Sequence, residues 1–132
     1  MRPSILVVDD DTSLLIAFKR VFRKRFYRVE TVCSIREALE CVSQSLPHVV
    51  ILDFKLHNET GDDLLRVLKI RYPELPVIVI TAFTDIFTRK KAMEAGADGY
   101  FSKPFDLNEL KATIHKLIEQ SLSCSTTFPY PS

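Results

Sequence analysis

The 132-residue sequence lacks a charge excess, a cysteine framework and a long apolar segment. Its 18 basic and 17 acidic residues give a net charge of +1, so no overall field favours nucleic acid or a membrane surface. Cys33, Cys41 and Cys124 show no C-x-x-C spacing, which indicates neither a disulfide framework nor a zinc site. No segment reaches membrane-spanning length, and the N-terminus lacks a signal-peptide pattern. These absences predict a soluble cytoplasmic protein with reduced thiols.

Polar residues follow four apolar runs of the sequence. The runs and the residues after them are Ile5–Val8 with Asp9 to Asp11, Val49–Leu52 with Asp53, Val77–Ile80 with Thr81, and Tyr100–Phe101 with Lys103. Such β-branched apolar runs are typical of strands buried on both faces of a parallel sheet. Ligands bind at the carboxyl ends of strands in open α/β sheets. We therefore expect carboxylates, a hydroxyl and an ammonium to converge on one patch, which suits a divalent metal and a phosphoryl group.

Strand and helix patterns alternate five times along the chain. The predicted strands lie at about residues 4–8, 28–32, 49–52, 77–80 and 98–102. Ser34 and Glu37 form a capping-box pattern, Asp106 is placed to cap the last helix, and Lys103–Pro104 is a candidate cis peptide. The alternation predicts an α/β fold with a doubly wound parallel sheet and right-handed crossovers. The first and fifth helices are expected on one face, and the other three on the opposite face.

The length of the chain predicts one domain with its own core. We assign residues 1–121 to this domain. From Leu122 onward the sequence becomes rich in Ser, Thr and Pro and loses its periodicity. Residues 122–132 are therefore predicted to be a disordered tail or a linker stub.

The consecutive carboxylates after the first strand have different predicted roles. Asp11 is expected to cap the first helix, because acidic side chains favour a helix N-terminus. Three carboxylates in a row repel one another unless a cation relieves them, so at least one of them is expected to have a further role. Asp53 ends a buried strand and needs a partner, either a metal shared with Asp10 or the ammonium of Lys103. Hard oxygen ligands of this kind suit Mg²⁺.

Taken together, the motifs resemble those of the receiver domain of two-component response regulators, over about Ile5 to Ile118. They are V-V-D-D at Val7–Asp10, I-L-D at Ile51–Asp53 with Gly61 eight residues on, T-A at Thr81–Ala82, and G-A-D-G-Y-F-S-K-P-F at Gly96–Phe105. Their order, each at a predicted strand end, makes the resemblance specific. It implies a flavodoxin-like receiver fold with five strands in the order 2-1-3-4-5 and five helices.

The resemblance also implies a phosphoacceptor site. Asp53 would accept a phosphoryl group from a sensor histidine kinase. Asp10 would bind Mg²⁺ directly, Asp9 would support the metal through water, and the backbone carbonyl of Lys55 would be a further ligand. A carboxylate is a competent nucleophile toward phosphorus, which agrees with this assignment.

The same resemblance implies a switch. Thr81 and Lys103 would bind the phosphoryl oxygens, and Tyr100 would move inward when Thr81 is drawn to the phosphate. The fourth helix, fifth strand and fifth helix would then change as a face for a homodimer, an output domain or a partner protein. A transcriptional output is favoured, and a stand-alone receiver that acts by protein contact is the alternative. This domain itself is not expected to bind nucleic acid or a membrane.

Other functions fit the residues less well. Haloacid-dehalogenase-type phosphatases also use a strand-end Asp with Mg²⁺, but they need a second Asp where this chain has Lys55. A flavodoxin-like FMN binder needs a hydroxyl- and glycine-rich first loop, and Asp9 to Asp11 would repel its phosphate. A receiver that has lost phosphorylation is disfavoured because all five site positions are present. We expect no enzyme activity beyond phosphorylation and dephosphorylation of the chain itself.

The loop residues predict a long phosphoryl lifetime. The methionine-proline pair found three and four residues after the nucleophile in many relatives is replaced by Leu56-His57. Lys55 and Phe83 flank the path of the hydrolytic water, and neither orients water as a carboxylate or amide does. We expect slow dephosphorylation of the isolated protein and a shorter lifetime in Phe83→Glu, measured by loss of phosphoryl-Asp53 with time. A wild-type lifetime of seconds would contradict this prediction.

Overall fold

The computed structural model describes residues 3–23, 27–56, 59–82 and 86–127. Within these residues, five strands of one sheet alternate with five helices, as the sequence pattern predicts, and two short strands at Lys55–Leu56 and Glu59–Thr60 form a separate pair. The strands are β1 (Ser4–Val8), β2 (Arg28–Val32), β3 (Val49–Asp53), β4 (Val77–Thr81) and β5 (Gly99–Ser102). The helices are α1 (Thr12–Arg23), α2 (Ile35–Gln44), α3 (Gly61–Arg71), α4 (Ile86–Glu94) and α5 (Leu107–Thr127).

The five strands form one parallel sheet in the order β2-β1-β3-β4-β5. In the register of the central strands, Val7 lies between Thr31 and Ile51. The residues of β3 and β4 are all buried, because helices cover both faces of the sheet. The predicted fold class and strand order are confirmed.

Alternate residues of the strands point into two separate cores. The first core lies beneath α1 and α5, and its members are Ile5, Val7, Leu15, Phe18, Phe22, Val29, Val49, Ile51, Ile78, Ile80, Leu110, Ile114 and Ile118. The second core lies beneath α2, α3 and α4, and includes Leu6, Val8, Ala38, Val42, Val50, Leu52, Leu64, Leu65, Leu68, Val77, Val79 and Ala92. Helices 1 and 5 therefore share one face, as predicted. Among the described side chains of α4, only Ala92 is buried in a core.

The predicted helix caps are present. The carboxylate of Asp11 accepts hydrogen bonds from the backbone N–H groups of Ser13 (3.1 Å) and Leu14 (3.3 Å), which are free in the first turn of α1. The N–H of Glu37 donates to the Ser34 hydroxyl at 3.2 Å, as expected of a capping box. The carboxylate of Asp106 caps α5 in the same manner.

Helix α5 extends past the predicted domain boundary at residue 121. It runs to Thr127 and so includes residues 122–127 of the segment that was predicted to be a disordered tail or a linker stub. The helix extends this far because neither Gly nor Pro occurs between Leu107 and Pro129, so no residue of that segment breaks the helix. The structure does not describe residues 128–132. Within the described residues, no helix has both the length and the apolar character that a membrane span requires.

Candidate functional site

The predicted site residues meet at the carboxyl edge of the sheet. Asp9 directly follows β1, Asp53 and Thr81 are the last residues of β3 and β4, and Lys103 directly follows β5. Parallel pairing aligns these strand ends, as the backbone hydrogen bond from Lys103 N–H to the Thr81 carbonyl (2.8 Å) shows. Asp9 and Thr81 are both 0% exposed and Asp53 is 4% exposed. Two carboxylates are therefore buried at one edge of the sheet.

The ammonium of Lys103 bridges the two buried carboxylates. Its Nζ lies 2.9 Å from Oδ2 of Asp9 and 3.0 Å from Oδ2 of Asp53. The other carboxylate oxygens accept backbone N–H groups: Asp11 N donates to Asp9 Oδ1 and Lys55 N to Asp53 Oδ1, each at 2.9 Å. Every oxygen of the two carboxylates therefore has a donor, which offsets the cost of burial. The peptide bond between Lys103 and Pro104 is cis, in agreement with the prediction.

The charged groups in this cluster shift one another's pKa values. Burial alone would lower the pKa of the Lys103 ammonium, but the hydrogen bonds and charges of Asp9 and Asp53 raise it above its ordinary value. Burial raises the pKa of the Asp9 carboxyl, and the nearby charge of Asp53 raises it further. The hydrogen bonds from the Asp11 amide and Lys103 partly oppose that rise. Two carboxylates share one ammonium, so the cluster favours a further cation.

Asp10 completes a group of three carboxylates. One oxygen each from Asp9, Asp10 and Asp53 lies within 4.8 Å of the others, and Asp10 is the most solvent-accessible of the three. Converging carboxylate oxygens are the donors that Mg²⁺ prefers, and one accessible ligand leaves room for water on the metal. The residues present therefore fit a magnesium ion.

The loop after Asp53 is held by a short antiparallel strand pair. Lys55 pairs with Thr60 and Leu56 with Glu59, although the methionine-proline pair of many relatives is missing. The replaced position His57, like Phe83 on the neighbouring loop, lies outside the described residues. The Lys55 backbone is thus fixed from two sides, by Thr60 and by its hydrogen bond to Asp53.

Gly61 allows the start of α3 to approach this loop closely. Its N–H donates to the carbonyl of Phe54 at 2.8 Å. A Cβ atom at Gly61 would collide with the backbone carbonyl oxygen of Asp53 and would lie 2.9 Å from the Phe54 Cα. Glycine at this position therefore lets α3 pack directly against the backbone of Asp53.

Tyr100, the predicted switch residue, lies on β5 beside α4. Its side chain is half-buried and packs against the second core. The guanidinium carbon of Arg89 in α4 lies 5.7 Å from the centre of the Tyr100 ring, within the range of a cation–π contact. Tyr100 thus connects β5 to α4, while its switching role stays a prediction.

Comparison with known proteins agrees with this geometry. A family model described as the response regulator receiver domain matches residues 5–115. The chain belongs to this family. Receiver domains of response regulators act as phosphoacceptors and generally bind Mg²⁺ in an acidic pocket. The family resemblance and the fold expected from the sequence are confirmed.

Three similar proteins illustrate the range of relatives. Response regulator MprA of Mycolicibacterium vanbaalenii is 35% identical over 117 residues, which are 89% of this chain and 51% of that protein. Sporulation initiation phosphotransferase F of Bacillus subtilis is 30% identical over 118 residues, which are 89% of this chain and 95% of that protein. A CheY-like receiver domain structure from Methanospirillum hungatei has a TM-score of 0.88 at 26% identity, and covers 93% of this chain and 98% of that one. The receiver chain thus spans about half the length of the first curated relative.

Sequence reasoning missed a polar cluster beside the receiver site. Asp62, the second residue of α3, is 8% exposed, and its Oδ2 lies 3.0 Å from Lys91 Nζ of α4. The i,i+4 spacing of Asp62 and Arg66 was a signal of their ion pair, which measures 3.3 Å. No sequence signal indicates the contact with Lys91, because it depends on how α4 packs beside α3.

We expect Gly61→Ala to destabilise the receiver domain. The added Cβ forces the backbone of Asp53 and α3 apart, which should lower the free energy of unfolding by about 1–3 kcal/mol, measured by urea denaturation. Gly99→Ala is the matched control, because its Cβ would meet its nearest neighbour, a side-chain atom of Ile78, at an ordinary 3.5 Å. Equal losses in the two variants would contradict this account of Gly61.

We expect the contribution of Lys103 to stability to depend on pH. A raised pKa in the folded state means that this contribution is fully present below the ordinary lysine value of 10.5 and is lost as pH rises through the raised value. At pH 7, Lys103→Gln should lower the free energy of unfolding by about 1–3 kcal/mol, because two buried carboxylates lose a donor. The measurement is urea denaturation in EDTA from pH 7 to 11, with the exposed Lys116→Gln as control. A difference from wild type that does not shrink above pH 10.5 would refute the prediction.

Proposed function

We propose that the chain is a phosphoacceptor receiver of a two-component system, in which Asp53 accepts a phosphoryl group from a sensor histidine kinase. The observation that carries the proposal is the contact of the Asp53 carboxylate with Lys103 inside a group of three carboxylates. A buried nucleophile, a cation and a set of metal ligands are the parts that phosphoryl transfer requires.

The site residues support a direct transfer. The Asp53 carboxylate attacks phosphorus, the bond between phosphorus and the kinase imidazole breaks, and the leaving imidazole takes up a proton. Lys55 N–H and Lys103 fix the orientation of the attacking carboxylate through its two oxygens. Asp10, Asp53 and the Lys55 carbonyl would hold Mg²⁺, which supplies positive charge to the transferred oxygens. Asp9 is engaged by Lys103 and Asp11 N–H, which suits the indirect role proposed for it.

After transfer, the added charge would change the α4–β5–α5 face. Lys103 and the Thr81 hydroxyl would bind the phosphoryl oxygens, and Tyr100 would follow the movement of Thr81. Phe87 on α4 is 79% exposed, which gives this face an apolar contact for a second copy or another partner. A mostly apolar cavity of about 330 Å³ between α1 and the turn that contains Lys103 offers the phosphodonor protein a surface beside the site.

The proposed output is transcriptional regulation through another domain or partner. The transcriptional regulatory protein PrrA of Mycobacterium tuberculosis aligns with this chain over only 54% of its length, and a remainder of that kind would supply the output. A stand-alone receiver is the second candidate, since the Bacillus subtilis phosphotransferase is aligned over 95% of its length. In either case, we propose a cytoplasmic protein with residues 1–121 as the receiver domain and no turnover beyond its own phosphorylation and dephosphorylation.

The test is phosphorylation by acetyl phosphate with and without Mg²⁺. We expect the intact mass to rise by one phosphoryl group in Mg²⁺, and the gain to be lost in EDTA and in Asp53→Asn. Asp63→Asn is the matched control, because Asp63 is an exposed carboxylate outside the site and should leave the reaction unchanged. Phosphorylation that survives in Asp53→Asn, or turnover of a phosphomonoester by the wild type, would refute the proposed function.

A further inference from the structure

A nearly buried carboxylate outside the phosphoacceptor site joins α3 to α4. The side chain of Asp62 is 11% exposed, and its Oδ2 contacts Lys91 Nζ at 3.0 Å and Arg66 NH1 at 3.3 Å. Burial would raise the pKa of the Asp62 carboxyl, but Lys91, Thr60 and Arg66 outweigh that effect and hold it below its ordinary value.

Local helix chemistry does not account for this arrangement. An acidic residue in the first turn of α3 complements the helix dipole, and Arg66 satisfies it one turn later. Asp63 shares both features, because it lies in the first turn of α3 and contacts Arg66, but its side chain is 63% exposed. Asp62 differs because it is buried and because Lys91 belongs to another helix. An ion pair with one nearly buried partner depends on the position of both helices.

The backbone connects Asp62 to the phosphoacceptor. Thr60 pairs with Lys55 in the short strand pair and is joined to Asp62 through Gly61, whose N–H donates to the Phe54 carbonyl at 2.8 Å. Lys55 in turn donates its N–H to Asp53 at 2.9 Å. The Asp53 carboxylate is therefore connected through the Lys55 backbone, the short strand pair and the first turn of α3 to Asp62, and from there to Lys91.

From these contacts we propose that the Asp62–Lys91 ion pair couples the metal-binding loop after Asp53 to the position of α4. The inference rests on the proposed function, because it takes the Lys55 carbonyl as a metal ligand. When the Lys55 carbonyl binds the metal, the loop and the start of α3 would shift together, which would change the position of the Asp62 carboxylate relative to Lys91. Coupling is reciprocal, so the arrangement of α4 also affects how the loop receives the metal. This route is separate from the one through Thr81 and Tyr100, which reaches α4 at Arg89.

The test is a titration of the ¹⁵N-labelled full chain with Mg²⁺ alone, followed by amide NMR of residues 53–56 and 86–94. In the wild type we expect shifts in both segments with one apparent Kd. Asp62→Asn and Lys91→Gln should keep the loop shifts and reduce the α4 shifts by at least about twofold. The double variant should match the single variants, because both remove the same interaction.

Two matched controls remove the same charges from neighbouring positions. Asp63→Asn lies next to Asp62 on the exposed side of α3, and Lys90→Gln lies next to Lys91, with Glu94 of its own helix at 4.0 Å. Both controls should give α4 shifts equal to those of the wild type. Lys91→Gln changes a side chain that is 62% exposed, so it tests the coupling even if Asp62→Asn fails to fold.

The possible outcomes separate the two proposals. If the wild type binds no Mg²⁺, the proposed function and the coupling both fail. If the wild type binds Mg²⁺ and α4 does not respond, the coupling alone is refuted. It is also refuted if α4 responds equally in Lys91→Gln and Lys90→Gln. A purely structural role for Asp62 would lower the melting temperature of its variant and leave the α4 response intact, which is again a refutation.

Discussion

The balance of charge around Lys103 governs the arrangement of the phosphoacceptor site. Two carboxylates, Asp9 and Asp53, are buried at the end of the sheet, and neither would be stable there without donors. One ammonium contacts both of them, and backbone amides satisfy the remaining oxygens. The cluster is therefore fully hydrogen-bonded but still short of positive charge. That deficit is what makes a divalent cation and a phosphoryl group chemically compatible with the same few residues.

Much of this site was predictable from the sequence, because residues that follow the strands of a parallel sheet lie together at its carboxyl edge. Three of the apolar runs marked the buried strands β1, β3 and β4, and the fourth marked the half-buried strand β5. Because the strands are parallel, the residues after the runs lie at the same edge of the sheet. The capping role of Asp11 could be predicted because this residue directly precedes a helical pattern, and its side chain does cap α1. The family resemblance added the individual roles, which periodicity alone does not supply.

Other features had no signal in the sequence. The contact of Asp62 with Lys91 depends on the packing of α4 beside α3, and 29 positions separate the two residues along the chain. The pairing of Lys55 with Thr60 formed in a loop that lacks the expected proline. Helix α5 continues to Thr127, past the predicted boundary at residue 121, because its Ser- and Thr-rich end contains no helix breaker. Contacts between different segments determine the first two features, and the local helix preference of residues 122–127 determines the third.

The shallow burial of α4 has a further consequence. Of its described side chains, only the small Ala92 enters a core, while Phe87 and Met93 are 79% and 45% exposed. Removal of one methyl group from a core changes the free energy by only about 1 kcal/mol, so apolar packing gives this helix little resistance to displacement. Helices α1, α3 and α5 each bury three larger side chains against the sheet, and α2 buries Val42 beside Ala38. Because the described side chains of α4 contribute so little apolar packing, we expect a change of a single nearby charge to displace this helix more readily than the others.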